Sequence, residues 1–490
     1  MLSRRHFLHF AGLGGLSLAG LPLLPGCSSA VPAPSAPRPD PLPDDPSKPW
    51  WLRKNFAPVG ESEARDLAIV GALPPTLSGL YLRNGPNPKG VESRHWFVGD
   101  GMVHGIHLDR GKAPWYRARF VQTPVLGGAK RGEGPPGLAE HQASTGILGY
   151  QGRVFCVQEV GLPYEIKKHD LSTVGPYDFS GKLRTAMTAH PKIDPVTGEL
   201  MFFAYGLSDP IITYHRCDAK GALVQTETIP VPKALMMHDF QVTETRVIFM
   251  DLPMLFDLDR AIAGDPLPYV WRPESGARLG VMPRAGTAAD VKWIEVDPCF
   301  VFHTWNAWDD PADPNVVHLE GVRFPSLWEK GSSDFNTSGS PHRFSIDLAR
   351  AKVSLTKLDD RFLEFPRINP ARQGRRYRYG YGVTTTLEPS EPGATPALNQ
   401  IVKYDWVAGK TVVHALPADQ EAGEAMFVQD PQGTAEDDGW LLAYVFSRAT
   451  SRSHLLVLDA TDVAGGPVAK VELPGRVPHG FHGDFLPTGV

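Results

Sequence analysis

Four of the seventeen histidines stand in apolar, aromatic stretches at the ends of strand-like runs. They are His190 in Thr188-Ala189-His190-Pro191, His238 in Met236-Met237-His238-Asp239-Phe240, His303 in Val301-Phe302-His303-Thr304-Trp305, and His482 in Gly480-Phe481-His482-Gly483. An imidazole in such a setting either bonds a backbone carbonyl as a core residue or turns a nitrogen to a metal. For a lone histidine the core role is the commoner one. The spacing argues otherwise here: successive separations of 48, 65 and 179 residues are about one, one and three lengths of a repeat of about 63 residues. Each ligand would then come from the same place in a different repeat. Four neutral nitrogen donors suit Fe(II), Zn(II) or Cu(II) by donor type, and on a six-coordinate ion they leave two positions open.

Such a repeat must be built of strands. The chain has 490 residues, 42% apolar and 21% charged, with 49 glycines and 47 prolines, so it is globular and turns far more often than a helical bundle would. β-rich apolar runs recur between turn signals at Gly79–Gly85, Arg153–Val157, Arg246–Met250 and Gly439–Val445. Helical periodicity is scarce, its best stretches being Glu61–Ala72 and Ser345–Ala351. An all-β chain of this size must hide its sheet edges, and a propeller of four-stranded blades does so by closing radially. About 440 residues over seven blades gives the repeat of about 63 used above. The prediction is an all-β, seven-bladed β-propeller from residue 50 to 490, with a helical and loop cap over the axial site. A formal charge of −5 without a long basic tract gives no footprint for nucleic acid. Gly99-Asp100-Gly101 with Gly105 lacks dinucleotide-binding spacing, so no nucleotide is expected. His104 and His107 would face opposite sides of a strand and are read as structural. Asp309, Asp310 and Asp313 lack the glycine and distal glutamate of a calcium loop and are read as a turn. Cys156, Cys217 and Cys299 are too few and too scattered for a disulfide framework, and Cys156 reads as a buried strand residue.

The first residues read as an address. Ser3-Arg4-Arg5-His6-Phe7-Leu8 precedes the apolar run Phe10 to Leu24, as in a twin-arginine export signal. Leu24-Pro25-Gly26-Cys27 resembles a lipoprotein processing site, so residues 1–27 are assigned as the signal, with Cys27 acylated. Residues 28–49, nearly all Pro, Ala, Ser and Asp, are assigned as an extended tether. The expected location is the periplasm or cell envelope, at a membrane surface.

Several further motifs lie in order along the chain: Leu82-Arg83-Asn84-Gly85-Pro86-Asn87-Pro88, His95-Trp96-Phe97-Val98-Gly99-Asp100-Gly101-Met102-Val103-His104-Gly105, Thr188 to Leu200, Met236 to Glu244, and Glu364-Phe365-Pro366-Arg367-Ile368. With the histidine segments, they closely resemble the carotenoid cleavage oxygenases from about Asn55 onward. The resemblance implies a seven-bladed propeller in which His190, His238, His303 and His482 hold a non-haem Fe(2+). It implies that Glu159, Glu364 and Glu424 orient the imidazoles of His238, His303 and His482 respectively, with His190 left without a glutamate. Ala425 stands where the family usually has proline. Thr145 resembles the family threonine whose methyl crowds an open metal position. Phe97, Phe302, Trp305, Phe481, and also Tyr379 and Tyr381, are candidates to line a tunnel for a flat, apolar, conjugated substrate.

The implied reaction is cleavage of a C=C bond of a carotenoid or apocarotenoid by O2 into two carbonyl products, with no general acid or base. One alternative is a phenolic stilbene (lignostilbene) dioxygenase, which needs a group to polarise the 4-hydroxyl; Lys130 is the nearest lysine. The alternative of another class is a non-catalytic envelope propeller that binds apolar ligands.

Overall fold

Strand after strand in this chain is buried on both faces. All eight residues of Gly79–Pro86, all six of Leu200–Tyr205 and all nine of Gly439–Ser447 are buried. The outermost strands alternate instead, as Leu223–Pro230 does, or face water, as Lys352–Lys357 does. Inner strands that are apolar on both faces beside half-wet outer ones require sheets stacked face to face around an axis. The computed structural model, which describes residues 41–90, 92–128, 137–331, 335, 337–389 and 393–488, shows that arrangement: seven antiparallel sheets forming a seven-bladed β-propeller. The proposed signal, most of the tether, and Lys130 lie outside the described residues. Within residues 41–49, Asp44 pairs with Arg53 at 2.7 Å.

Blades are numbered here in chain order. The innermost strands of blades 2 to 6 are Gly146–Tyr150, Lys192–Ile193, Gln241–Val242, Phe300–Asp309 and Glu364–Ile368. Blade 7 opens with Gln420–Ala422 and Met426–Gln429, both paired to Gly439–Ser447. Blade 1 closes the ring from both chain ends. Its innermost strand is Gly483–Pro487, paired to Gly79–Pro86 so that Arg83 faces Gly483. A Cβ on Gly483 would lie 2.4 Å from the Leu82 carbonyl oxygen, so only glycine permits this approach. Upstream, Ser62–Arg65 edges blade 1 while Ile69–Gly71 edges blade 7.

Apolar slabs fill the seams between blades. Leu148, Phe155, Phe202 and Cys217 join blades 2 and 3; Tyr81, Ile106, Leu442 and Leu455 join blades 1 and 7. The strand predictions at Gly79, Arg153, Arg246 and Gly439 fall on observed strands. The two helix-like stretches do not become helices: Glu61–Ala72 contains two edge strands, and Ser345–Ala351 ends a strand at Asp347. Their half-exposed positions mimic an amphipathic period, but pairing to a neighbouring blade edge decides the conformation. The cap is likewise loops with short 3-10 turns. Among the described residues the one α-helix is Leu258–Ile262.

Because closure rests on the seam between blades 1 and 7, Leu442→Ala, at a fully buried position, should cost about 2–5 kcal/mol in chemical denaturation. Val407→Ala, at a 65% exposed position, should leave the midpoint in place.

Candidate metal centre

Each of the four predicted histidines sits where an innermost strand meets the axis. His190 precedes Lys192–Ile193 in blade 3, His238 precedes Gln241–Val242 in blade 4, His482 precedes Gly483–Pro487 in blade 1, and His303 lies within Phe300–Asp309 in blade 5. The four offer nitrogen atoms all within 4.8 Å of one another. His238 Nε2 stands 3.0 Å from His190 Nε2 and 3.2 Å from His303 Nε2.

The other ring nitrogens determine what those atoms can be. His303 Nδ1 donates to Glu364 Oε2 at 2.6 Å, His482 Nδ1 donates to Glu424 Oε1 at 2.9 Å, and His238 Nδ1 pairs with Glu159. A carboxylate only accepts, so each of these Nδ1 atoms carries a proton, and in the neutral ring each Nε2 is a bare lone pair. Bare lone pairs about 3 Å apart repel unless a cation lies between them. Two ligands at about 2.1 Å from one ion, at right angles, are about 3.0 Å apart. The donor set therefore fits one divalent transition metal, and carboxylate-backed imidazoles are the usual way to hold one. No carboxylate pairs with His190 among the described residues.

Burial, reinforced by the neighbouring imidazoles, pushes His190 well below its ordinary value. Burial likewise takes His482 down to about 4 against the pull of Glu424. Both are neutral, ligand-ready rings at neutral pH. His238 differs: burial opposes its charged form, but the Glu159 carboxylate outweighs burial and raises it. A metal arriving at this ring displaces a proton. Burial raises the Glu424 carboxyl, yet Arg367 and His482 hold it far below the usual carboxylate range.

A second set of residues, not singled out from the sequence, locks the histidine segments together. Lys192 Nζ lies 2.8 Å from Asp239 Oδ1, and Asp239 Oδ2 accepts from Thr304 N at 3.0 Å and from the Thr304 hydroxyl at 2.5 Å. These residues follow His190 by two, His238 by one and His303 by one, so one buried aspartate ties three blades beside the centre. Arg367 Nε donates to Glu424 Oε1 at 2.7 Å, and Gly483 N donates to Glu424 Oε2 at 2.8 Å. The Tyr205 hydroxyl donates to Glu159. The available signal was position: each follows a histidine or glutamate motif closely, but its partner is tens of residues away.

Above the histidines opens a cavity of about 960 Å3, walled by Trp96, Phe97, Phe302, Phe335, Phe365 and Phe481 and reaching His238, His303 and His482. Thr145 and Glu159 line it too, and the Thr145 carbonyl accepts from His482 N at 3.1 Å. Three expected wall residues are elsewhere. Trp305 is buried between blades 5 and 6, donating from Nε1 to the Tyr381 carbonyl at 2.8 Å and packing on Tyr404 and Trp406. The strand pairing is irregular on both sides of Thr304. This bulge aims His303 at the axis and leaves Trp305 in the seam. Tyr381 stacks on Phe427, and Tyr379 lies under Lys403. His104 bonds the Tyr116 hydroxyl at 2.8 Å, and Asp310 accepts from Ala312 N and Asp313 N in a turn, both structural as read.

The profile of the Retinal pigment epithelial membrane protein family matches residues 56–487. The chain is 36% identical to a "Carotenoid cleavage oxygenase" of Mycobacterium tuberculosis, over 89% of this chain and 97% of that one. It belongs to the carotenoid cleavage oxygenase family. Among solved structures, this oxygenase resembles the lignostilbene dioxygenase of Pseudomonas brassicacearum, with 27% identity, a TM-score of 0.82, and coverage of 91% of this chain and 100% of that one. It also resembles the cobalt-substituted apocarotenoid oxygenase of Synechocystis, with 27% identity, a TM-score of 0.77, and coverage of 91% and 98%.

Metal titration checks the centre. Glu159→Gln, Glu364→Gln and Glu424→Gln should each lower metal affinity by on the order of 10–100-fold, and replacing any one of the four histidines by alanine should lose the metal or the activity. In the wild type, affinity should rise with pH through 6.5 and flatten only above it, because the proton on His238 must leave. An affinity flat across that range would contradict the assignment of that proton.

Proposed function

We propose that this oxygenase uses Fe(2+) and O2 to cleave a C=C bond of a carotenoid or apocarotenoid into two carbonyl products. The observation that carries the reading is the convergence of bare imidazole nitrogens at the end of an aromatic-walled cavity. Ferrous iron, when bound, supplies the electrons that activate dioxygen beside the double bond. The alkene and O2 together contain every atom of the two carbonyls, so no proton donor or acceptor is required. The histidines remain neutral, the glutamates hold their rings in one orientation, and Phe97, Phe302, Phe365 and Phe481 exclude water and align a flat chain. Thr145 sits beside His482, where its methyl can narrow access to an open metal position.

A second reading is favoured by the likeness to the lignostilbene dioxygenase, in which the substrate is a phenolic stilbene. Iron-loaded enzyme incubated with β-apo-carotenals and, separately, with hydroxylated stilbenes under 18O2 separates the two. The expected result is apocarotenoid-derived aldehydes, with label in both products. Stilbene cleavage alone would replace the first reading with the second.

We further propose export by the twin-arginine route and retention at a membrane through Cys27. The support is the Arg4-Arg5 motif, the Cys27 setting, and exposed apolar side chains at and near the cavity. Val160 and Leu207 line the cavity yet are 37% and 47% exposed. Leu258 and Ile262, one turn apart on a short helix, stand out from the loop whose Phe256, Pro266 and Leu267 line the same cavity. No helix among the described residues is long and apolar enough to cross a membrane. A coil of about 22 residues reaches about 25 Å, enough to hold the rim near lipid. Fractionation should find the native protein with envelope membranes and Cys27→Ser in the soluble periplasm. Native protein in the soluble fraction would overturn the anchor.

A further inference from the structure

His479 stands three residues before His482, on the segment that leads into the innermost strand of blade 1, and its side chain lines the cavity at 13% exposure. It is built in on three sides. Its backbone N–H donates to the Asn55 carbonyl at 2.9 Å, its ring packs on Phe56 with centroids 4.6 Å apart, and its Nε2 lies 2.7 Å from Glu421 Oε2. The second oxygen of Glu421 pairs with Arg448, which fixes the carboxylate in turn. The neighbouring wall is apolar: Phe56, Leu398, Ala422 and Phe481 line the cavity beside it.

That arrangement sets the tautomer. Glu421 can only accept, so Nε2 carries the proton and Nδ1 of the neutral ring is an acceptor. Nδ1 has no partner among the described residues and is not one of the buried, unpaired polar atoms, so it keeps accessible surface. A lone acceptor in an apolar wall is matched by a ligand that brings an O–H donor and is left unpaired by one that does not.

We propose that His479, oriented by Glu421, is a hydroxyl-recognition subsite, so that the preferred substrate is a conjugated alkene bearing a hydroxyl group at the end that faces this wall. The proposal rests on the alkene-cleaving reading above and narrows it. Hydrocarbon end groups fit the cavity but leave Nδ1 bare, and ether or carbonyl oxygens offer it no proton.

The test compares three versions of one conjugated substrate, carrying a terminal hydroxyl, its methyl ether, or hydrogen at that position. Binding is measured by quenching of tryptophan fluorescence in anaerobic iron-loaded enzyme, and turnover by aldehyde formation in air. The wild type should bind the hydroxyl form roughly tenfold more tightly than the other two, which should bind alike. In His479→Phe that ratio should fall to about one, with iron content and melting midpoint serving as controls for folding. His479→Gln, whose amide oxygen can still accept while its NH2 donates to Glu421, should keep most of the ratio. Equal binding of all three by the wild type, or an undiminished ratio in His479→Phe, overturns the subsite. Preferential binding of the hydroxyl form without cleavage of any version overturns the alkene-cleaving reading and leaves the subsite standing. Binding of none overturns both.

Discussion

Imidazole nitrogens within 4.8 Å of one another, converging on one point, are the constraint on which the rest of this structure depends. In the absence of positive charge the arrangement is repulsive, so something must hold each ring in place. Three carboxylates do so, each fixing a proton on Nδ1 and aiming Nε2 inward. Those carboxylates must themselves be compensated. Arg367 neutralises Glu424 and Tyr205 donates to Glu159. Charge in this axial column is thus met by charge or by a hydrogen bond at Glu424 and Glu159.

The propeller makes such a column affordable. No single blade carries two of the four histidines, and no glutamate shares a blade with the histidine it supports. The site therefore exists only when the ring is closed. Closure is secured where the two ends of the chain meet in blade 1 and where Ile69–Gly71 edges blade 7. Apolar slabs between blades supply the cohesion, and the buried Lys192–Asp239–Thr304 network fixes the register of blades 3, 4 and 5 at the depth of the centre. A shift of one blade against the next would separate donors that now lie close together.

Above the column, the cavity separates binding from chemistry. Its walls are largely aromatic, which suits a flat hydrophobic ligand, and polar side chains such as Gln142, Gln158, Thr185 and Asp209 also line it. Glu159 pairs with His238 of the centre, Thr145 lines the cavity with its carbonyl bonded to His482 N, and His479 lines it while paired with Glu421. The reactive centre is the same for any alkene that enters. Selection among substrates lies in the walls.

The sequence by itself determined the fold class and the four histidines, because both are local statements. Inner strands buried on both faces leave continuous apolar runs, and a ligand at the head of an innermost strand recurs in fixed apolar company at multiples of a blade length. The three glutamates were legible only through the motifs that surround them. What the tertiary structure decided is everything that depends on two distant residues meeting, or on which way a side chain turns. Trp305 shares a motif with His303, yet the irregular pairing around Thr304 sends one into a blade seam and the other to the axis. The Glu61–Ala72 stretch has a helical rhythm but pairs as two edge strands on two different blades. The Asp239 pairing to Lys192 and Thr304 and the Glu421 pairing to His479 join residues 47 to 65 positions apart. Side-chain periodicity reports which face of a strand is buried. It carries no information about the partner across the axis, which closure of the ring alone supplies.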